Sequence, residues 1–243
     1  LSALGHAHIV AIHDYDETED GLFFLAMDLL EGEDLAHRLE RSGRLPWLEA
    51  ALLVDAVASA IEAAHGLGMV HRDLKPSNVF LARTPGADGE RPVLLDFGLA
   101  RALDDDAEHS RVTASGTVLG TPTYMAPEQA QGHALDARSD VWALGVLLFE
   151  ACAGRPPFVA PTLASTFVQI LTAPTPTLSS AGVEVPGALD EIVTRCLEKS
   201  PSARFADVAA LRRALAPLVA AAPRRAISFG SAASSGPGAA PSL

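Results

Sequence analysis

Asp73, Lys75, Asn78 and Asp96 are the residues of this 243-residue chain whose types and spacing could do chemistry. The first three lie in His71-Arg72-Asp73-Leu74-Lys75-Pro76-Ser77-Asn78, and the fourth opens Asp96-Phe97-Gly98. An ionised carboxylate only accepts hydrogen bonds and can orient a hydroxyl nucleophile. An ammonium can neutralise charge on a transferred phosphoryl group. A carboxamide oxygen and a second carboxylate are the hard oxygen donors that magnesium prefers. Taken singly, His-Arg-Asp reads equally as a solvated turn and Asp-Phe-Gly as the start of a loop. Order and spacing carry the reading.

These groups need elements to bring them together. Two short apolar runs, 78–82 and 92–95, flank Thr84-Pro85-Gly86-Ala87-Asp88-Gly89 and predict a β-hairpin. A hairpin returns the chain to its starting end, so Asn78 and Asp96 can face one metal from adjacent strand ends. Upstream, residues 9–15 and 22–28 predict a first hairpin around an acidic turn, and Glu31-Gly32-Glu33-Asp34 then breaks the pattern. Asp34 caps a short helix, and Pro46 opens a long one that Gly66 stops. No strong periodicity runs from Asp96 to Glu128, and a loop of that length is usually functional or disordered. Helices follow over 139–153, 162–171, 186–198 and 205–219. Strands first and helices after predict an α+β fold with a helical C-terminal lobe.

Composition narrows the function classes. A formal charge of −12 argues against a nucleic-acid-binding surface. No stretch has the roughly 18–20 uncharged apolar residues of a membrane span. Cys152 and Cys196 both fall in helical patterns and read as buried thiols rather than a disulfide. Sixteen of the 18 basic residues are Arg, which leaves Lys75 and Lys199 as the lysines. A site that must set a compact point charge against a phosphate can prefer an ammonium to a guanidinium. The chain starts on Leu1 inside an apolar pattern and reads as a piece of a longer polypeptide, while the Ala-, Ser-, Gly- and Pro-rich tail reads as a linker.

With these residues in place, the chain resembles the catalytic domain of the eukaryotic-type protein kinases, in their bacterial serine/threonine branch. Gly120-Thr121-Pro122-Thr123-Tyr124-Met125-Ala126-Pro127-Glu128 resembles the end of that family's activation segment. Ser139-Asp140-Val141-Trp142-Ala143-Leu144-Gly145 resembles its central helix, Gly154-Arg155-Pro156-Pro157-Phe158 the segment after it, and residues 201–204 its last motif. The likeness runs over residues 1–219. It implies a bilobal fold with an incomplete β-rich N-lobe and hinge over 1–30, a complete helical C-lobe over 31–219 and a flexible linker over 220–243.

The resemblance implies roles residue by residue. Asp73 would be the catalytic base and Lys75 the γ-phosphate contact, with Thr121 hydrogen-bonding both. Asn78 and Asp96 would hold Mg2+ beside ATP. Met27 falls at the gatekeeper position, Asp28 to Leu30 at the hinge, and Phe80 on the adenine floor; ordinary core packing is the alternative for Met27 and Phe80. Arg72 would pair with a phosphate on Thr113, Ser115 or Thr117, and a polar loop that happens to carry hydroxyls is the alternative there. Structural roles fall to Glu128 paired with Arg204, to Asp140 accepting catalytic-loop amides, and to His71 and Phe97 stacked with Leu1 and Ile12 in a spine. Expected partners are proteins offering Ser or Thr, with autophosphorylation in trans, no nucleic acid and a cytoplasmic setting.

The family also uses a Gly-rich loop, a strand lysine and a helix glutamate, and this sequence contains none of them. Gly66-Leu67-Gly68 follows a helix, and Lys199 sits near the end of the domain. The expected chain is therefore part of a kinase, weakly active or inactive by itself. The rival is a truncated pseudokinase that acts as a docking or scaffold module; the intact Asp73, Lys75, Asn78 and Asp96 weigh against it. A small-molecule phosphotransferase is a third reading, opposed by the protein-presenting segment that ends at Glu128.

Overall fold

The computed structural model describes residues 5–83, 89–96 and 122–220. Strands β1 (Ile12–Glu17) and β2 (Phe23–Met27) form an antiparallel hairpin. Both of its faces are open, with Phe23 61% and its neighbour Phe24, on the opposite face, 46% exposed. A two-stranded sheet is marginal by itself, and this one is attached through its ends. Val10 and Leu30 join Phe80, Ala82, Val93 and Leu95 in a small apolar cluster.

The second sheet has the order β3 (Gly32–Asp34), β4 (Val79–Arg83) and β5 (Glu90–Leu94), antiparallel throughout. Residues 31–34, read from sequence as a break, therefore include a strand. Three residues are too few to show alternation, and pairing with β4 makes them extended. The first strand also starts later than residue 9. Ile9 and Val10 are drawn to β5 instead, where the Val10 N–H donates to the Leu94 carbonyl at 2.9 Å and the Leu94 N–H to that of His8 at 2.9 Å.

Helix α1 (Leu35–Ser42) is capped by Asp34, whose carboxylate accepts the His37 N–H at 2.9 Å. Its Arg38 is buried and reaches Glu33 and Glu90, with two bonds of 2.8 and 2.9 Å to the latter, so α1 is locked to the start of β5. Helix α2 (Trp47–His65) buries Leu53, Val54, Val57 and Ile61 among alanines that let neighbours approach. After the short α3 (Pro127–Ala130), helix α4 (Ala137–Ala153) is enclosed along nearly its whole length. Gly145 makes this packing possible, because a Cβ there would stand 2.4 Å from Cβ of Cys196. Gly154 ends α4 with a φ of +74°, and a Cβ on it would meet the Gly43 carbonyl at 2.3 Å.

Helices α5 (Leu163–Thr172), α6 (Gly187–Cys196) and α7 (Val208–Ala220) complete the helical lobe. One core runs through α1, α2, β4, β5 and the helices from α4 on. Arg212 ties α7 back to α2 through Asp55 at 3.0 Å and Glu62 at 2.7 Å. The last helix begins at Val208 rather than near Phe205, because Phe205 packs under the Arg195 guanidinium and Asp207 accepts the Ala210 N–H at 2.6 Å. The α+β arrangement expected from sequence, a small sheet region followed by a helical lobe, is the one observed. Cys152 and Cys196 are free and buried, and burial pushes both thiols up to about 12.

Candidate active site

The loop after α2 carries the first candidate residues, and α4 holds it. Asp140, in the first turn of α4, is 1% exposed and accepts three hydrogen bonds. The His71 N–H reaches Oδ2 at 2.8 Å, the Arg72 N–H reaches Oδ1 at 2.9 Å, and Nε2 of His65 lies 2.7 Å from Oδ2. A buried carboxylate is tolerable there because these bonds and the positive end of the helix both favour its charge.

Arg72 is the one non-glycine with positive φ among the described residues, at 66°. That conformation costs of order 1–3 kcal/mol and must be held by its surroundings. Asp140 holds its N–H, and the Gln129 side chain donates to its carbonyl at 2.9 Å. The next peptide positions Asp73, whose N–H reaches the His71 carbonyl at 2.9 Å and His71 Nδ1 at 3.3 Å. His71 is 1% exposed, and burial holds its imidazole below the ordinary range despite the nearby Asp140, Asp73 and Asp96.

Asp73 and Lys75 are partly open to solvent, with Lys75 Nζ 3.1 Å from Asp73 Oδ2. The Asn78 side chain donates through Nδ2 to the Asp73 carbonyl at 2.9 Å, which leaves its Oδ1 as the oxygen that could accept or coordinate. The β4–β5 register pairs Val79 with Leu94, and the Leu95 N–H donates to the Asn78 carbonyl at 3.0 Å. Asp96 follows directly and is exposed. Asp73, Lys75, Asn78 and Asp96 therefore share one end of this hairpin. A carboxamide oxygen and a carboxylate there suit a hard divalent cation.

Met27 lies 41% exposed at the end of β2, and the Asp28 carboxylate meets His13 Nε2 at 2.7 Å. Leu30 and Phe80 pack in the small cluster with Val10, Ala82, Val93 and Leu95. Arg72 is exposed and Ile12 lies in β1. Thr121, Thr113, Ser115, Thr117, Phe97 and Leu1 lie outside the described residues. Lys199 stands apart from the site, its Nζ 3.6 Å from the Phe158 ring centroid, with burial foremost in pushing it down to about 8.

One buried and one half-buried contact anchor the segment that begins at residue 122. Arg204 meets Glu128 with parallel bonds of 2.8 and 2.7 Å, and Ser139 Oγ adds a third at 2.8 Å. Arg204 also donates to the carbonyls of Glu198, Arg138 and Lys199. Tyr124 Oη donates to Glu150 Oε2 inside α4. Burial pushes the Glu150 carboxyl up, and the phenol offsets this only in part. Stability from a carboxyl with a raised value is full below its ordinary value near 4.5 and is lost as pH rises through the raised one. Glu150→Gln keeps an acceptor for the phenol but removes the charge. Urea unfolding from pH 4.5 to 7 should therefore show a smaller loss of stability in this variant than in the parent; equal slopes would refute the assignment.

Sequence reasoning missed His65, Gln129 and the Tyr124–Glu150 pair. No spacing rule links residues 26, 57 or 75 positions apart.

The model of the protein kinase domain matches residues 1–215. The serine/threonine-protein kinase Pkn1 of Myxococcus xanthus is 39% identical over 224 residues, covering 88% of this chain and 30% of the relative. PkaA of Streptomyces coelicolor is 40% identical over 204 residues, covering 84% and 36%. The crystal structure of the PknI kinase domain of Mycobacterium tuberculosis superposes with a TM-score of 0.65 at 30% identity, covering 89% of this chain and 73% of that one. The chain spans about a third of the length of the curated relatives it matches.

Proposed function

The chain belongs to the protein kinase domain family, and from that premise we propose that it is the catalytic part of a serine/threonine protein kinase. It would transfer the γ-phosphoryl group of ATP to Ser and Thr hydroxyls of proteins. The observation that carries this reading is Asp73. Its carboxylate lies 3.1 Å from Lys75 Nζ, and its backbone is pinned on one side by His71 and on the other by Asn78.

In this reading Asp73 accepts the proton of the attacking hydroxyl, whose oxygen bonds to the γ-phosphorus as the bond to the β-phosphate oxygen breaks. Lys75 offsets charge on the transferred group. Asn78 Oδ1 and Asp96 would hold Mg2+, which when bound would supply positive charge against the phosphates. Met27, the Asp28 to Leu30 hinge and Phe80 would line the adenine. Thr121 would join Asp73 and Lys75 to the substrate platform, and a phosphate placed in trans on Thr113, Ser115 or Thr117 would pair with Arg72. We place this chemistry in the cytoplasm, where ATP is supplied. No helix of the described residues is long and apolar enough to cross a membrane.

The two lysines are Lys75 and Lys199, and no Gly-rich loop precedes a strand lysine. The 243-residue chain therefore fixes the α- and β-phosphates poorly, and positioning limits its rate. The test is incorporation of labelled γ-phosphate into a Ser/Thr-rich protein with magnesium, followed by phosphoamino-acid analysis. Slow labelling of Ser and Thr is expected, far below the roughly 1–100 s⁻¹ of complete kinases, and Asp73→Asn should abolish it. Label on Tyr, or labelling indifferent to Asp73→Asn, would overturn the reading. No label at all would favour a docking module.

A further inference from the structure

Gln129 touches two things at once. Its Oε1 accepts the Ala126 N–H at 2.9 Å, and its Nε2 donates to the Arg72 carbonyl at 2.9 Å. The amide orientation is unambiguous, because a flip would set oxygen against oxygen and N–H against N–H. We propose that Gln129 is a positioning residue that sets the peptide carrying the candidate base Asp73 and fastens it to the substrate-presenting segment. The proposal rests on the kinase reading above.

The peptide between Arg72 and Asp73 is planar, so its carbonyl and N–H edges turn together. His71 holds the N–H edge, at 2.9 Å through its carbonyl and 3.3 Å through Nδ1, and Gln129 holds the opposite edge. With both edges fixed, the direction in which Asp73 leaves the backbone is fixed too. The preceding residue needs this control, because Arg72 sits at φ 66° and relaxes toward negative φ once released. Asp140 secures only the N–H side of Arg72. Gln129 follows directly on Glu128, which Arg204 and Ser139 clamp. A shift of α3 is thus felt at Asp73 through one side chain.

Substitution by glutamate separates this role from plain helix capping. Gln129→Glu keeps a carboxylate oxygen for the Ala126 N–H, a favourable group at that position of a helix, but turns its second oxygen toward the Arg72 carbonyl, acceptor against acceptor. Gln129→Leu removes both bonds. Hydrogen exchange on the full 243-residue chain is the primary readout. Gln129→Glu should exchange about 10-fold faster over residues 71–75, the equivalent of one lost hydrogen bond, with residues 126–131 unchanged. Gln129→Leu should exchange faster in both segments. In the transfer assay Gln129→Glu should lower the maximal rate about 10-fold with the KM for ATP unchanged. Parental exchange over 71–75 in Gln129→Glu would overturn the proposal, as would equal loosening of both segments by both variants. Exchange reads the tether without turnover, so absence of labelling by the parent chain would count against the kinase reading alone.

Discussion

Asp140→Ala is expected to destabilise the protein by about 2–6 kcal/mol, because one buried and one partly buried amide lose their acceptor at about 1–3 kcal/mol apiece. His71 and Arg72 donate those amides to opposite carboxylate oxygens at 2.8 and 2.9 Å. The informative comparison is Asp140→Asn, which keeps shape and volume. Its Oδ1 can accept one amide, but its Nδ2 must then point N–H at N–H, so asparagine should recover at most about half of the loss. Urea unfolding at pH 7 measures this directly. An asparagine variant within about 1 kcal/mol of the parent would show that the loop does not depend on two acceptors. Release of Arg72 from φ 66° also moves Asp73, so Asp73-dependent labelling should fall by about 10²-fold or more.

Glu128→Ala is the second large effect, at about 3–5 kcal/mol, because it leaves the Arg204 guanidinium buried without its carboxylate. For a chain of this size that corresponds to roughly 6–20 °C in Tm. The three backbone carbonyls on Arg204 remain, yet none carries a charge. Glu128→Leu combined with Arg204→Met should recover most of the loss, since an apolar pair avoids the cost of burying two charges. A double variant as unstable as the worse single one would show that packing, not charge, is at stake. The pH dependence has a definite sign. Burial alone would raise the Glu128 carboxyl, but the hydrogen bonds and charge of Arg204, with Ser139, bring it below its ordinary value. Its stabilisation is present above about 4.5 and is lost as pH falls through the lowered value. Glu150 runs the other way, so the two carboxyls oppose each other across the acid range.

How much was readable beforehand follows from how local each signal is. The long helices are legible because α2 opens on Pro46 and stops at Gly66, and α4 on apolar residues that end at Gly154. The hairpin β4–β5 shows as two apolar runs around a Pro-Gly turn. Strand β3 is not legible, because its three residues become extended only against β4. Within the site, Asp73, Lys75 and Asn78 lie six positions apart or closer, so their proximity needed only a turn. Asp140 entered through family resemblance, since nothing local says which amides a carboxylate far along the chain will accept. Gln129 had a faint signal as an amide at the third position of a short helix, but Ala126 offers no side-chain oxygen to complete a reciprocal cap. Arg38 was invisible for the same reason of distance, with Glu90 52 positions away.

The reach of Asp140 has a consequence for how the molecule comes into being. The amides it secures belong to residues made 69 and 68 positions earlier. At ordinary translation speeds roughly 3–14 s pass between synthesis of the His-Arg-Asp run and arrival of the carboxylate. During that interval the nascent loop carries its reactive side chains without the frame that aims them. Asp73 thus acquires its direction only when α4 docks, so a ribosome-bound chain ending before residue 140 holds the chemical groups without the aligned site.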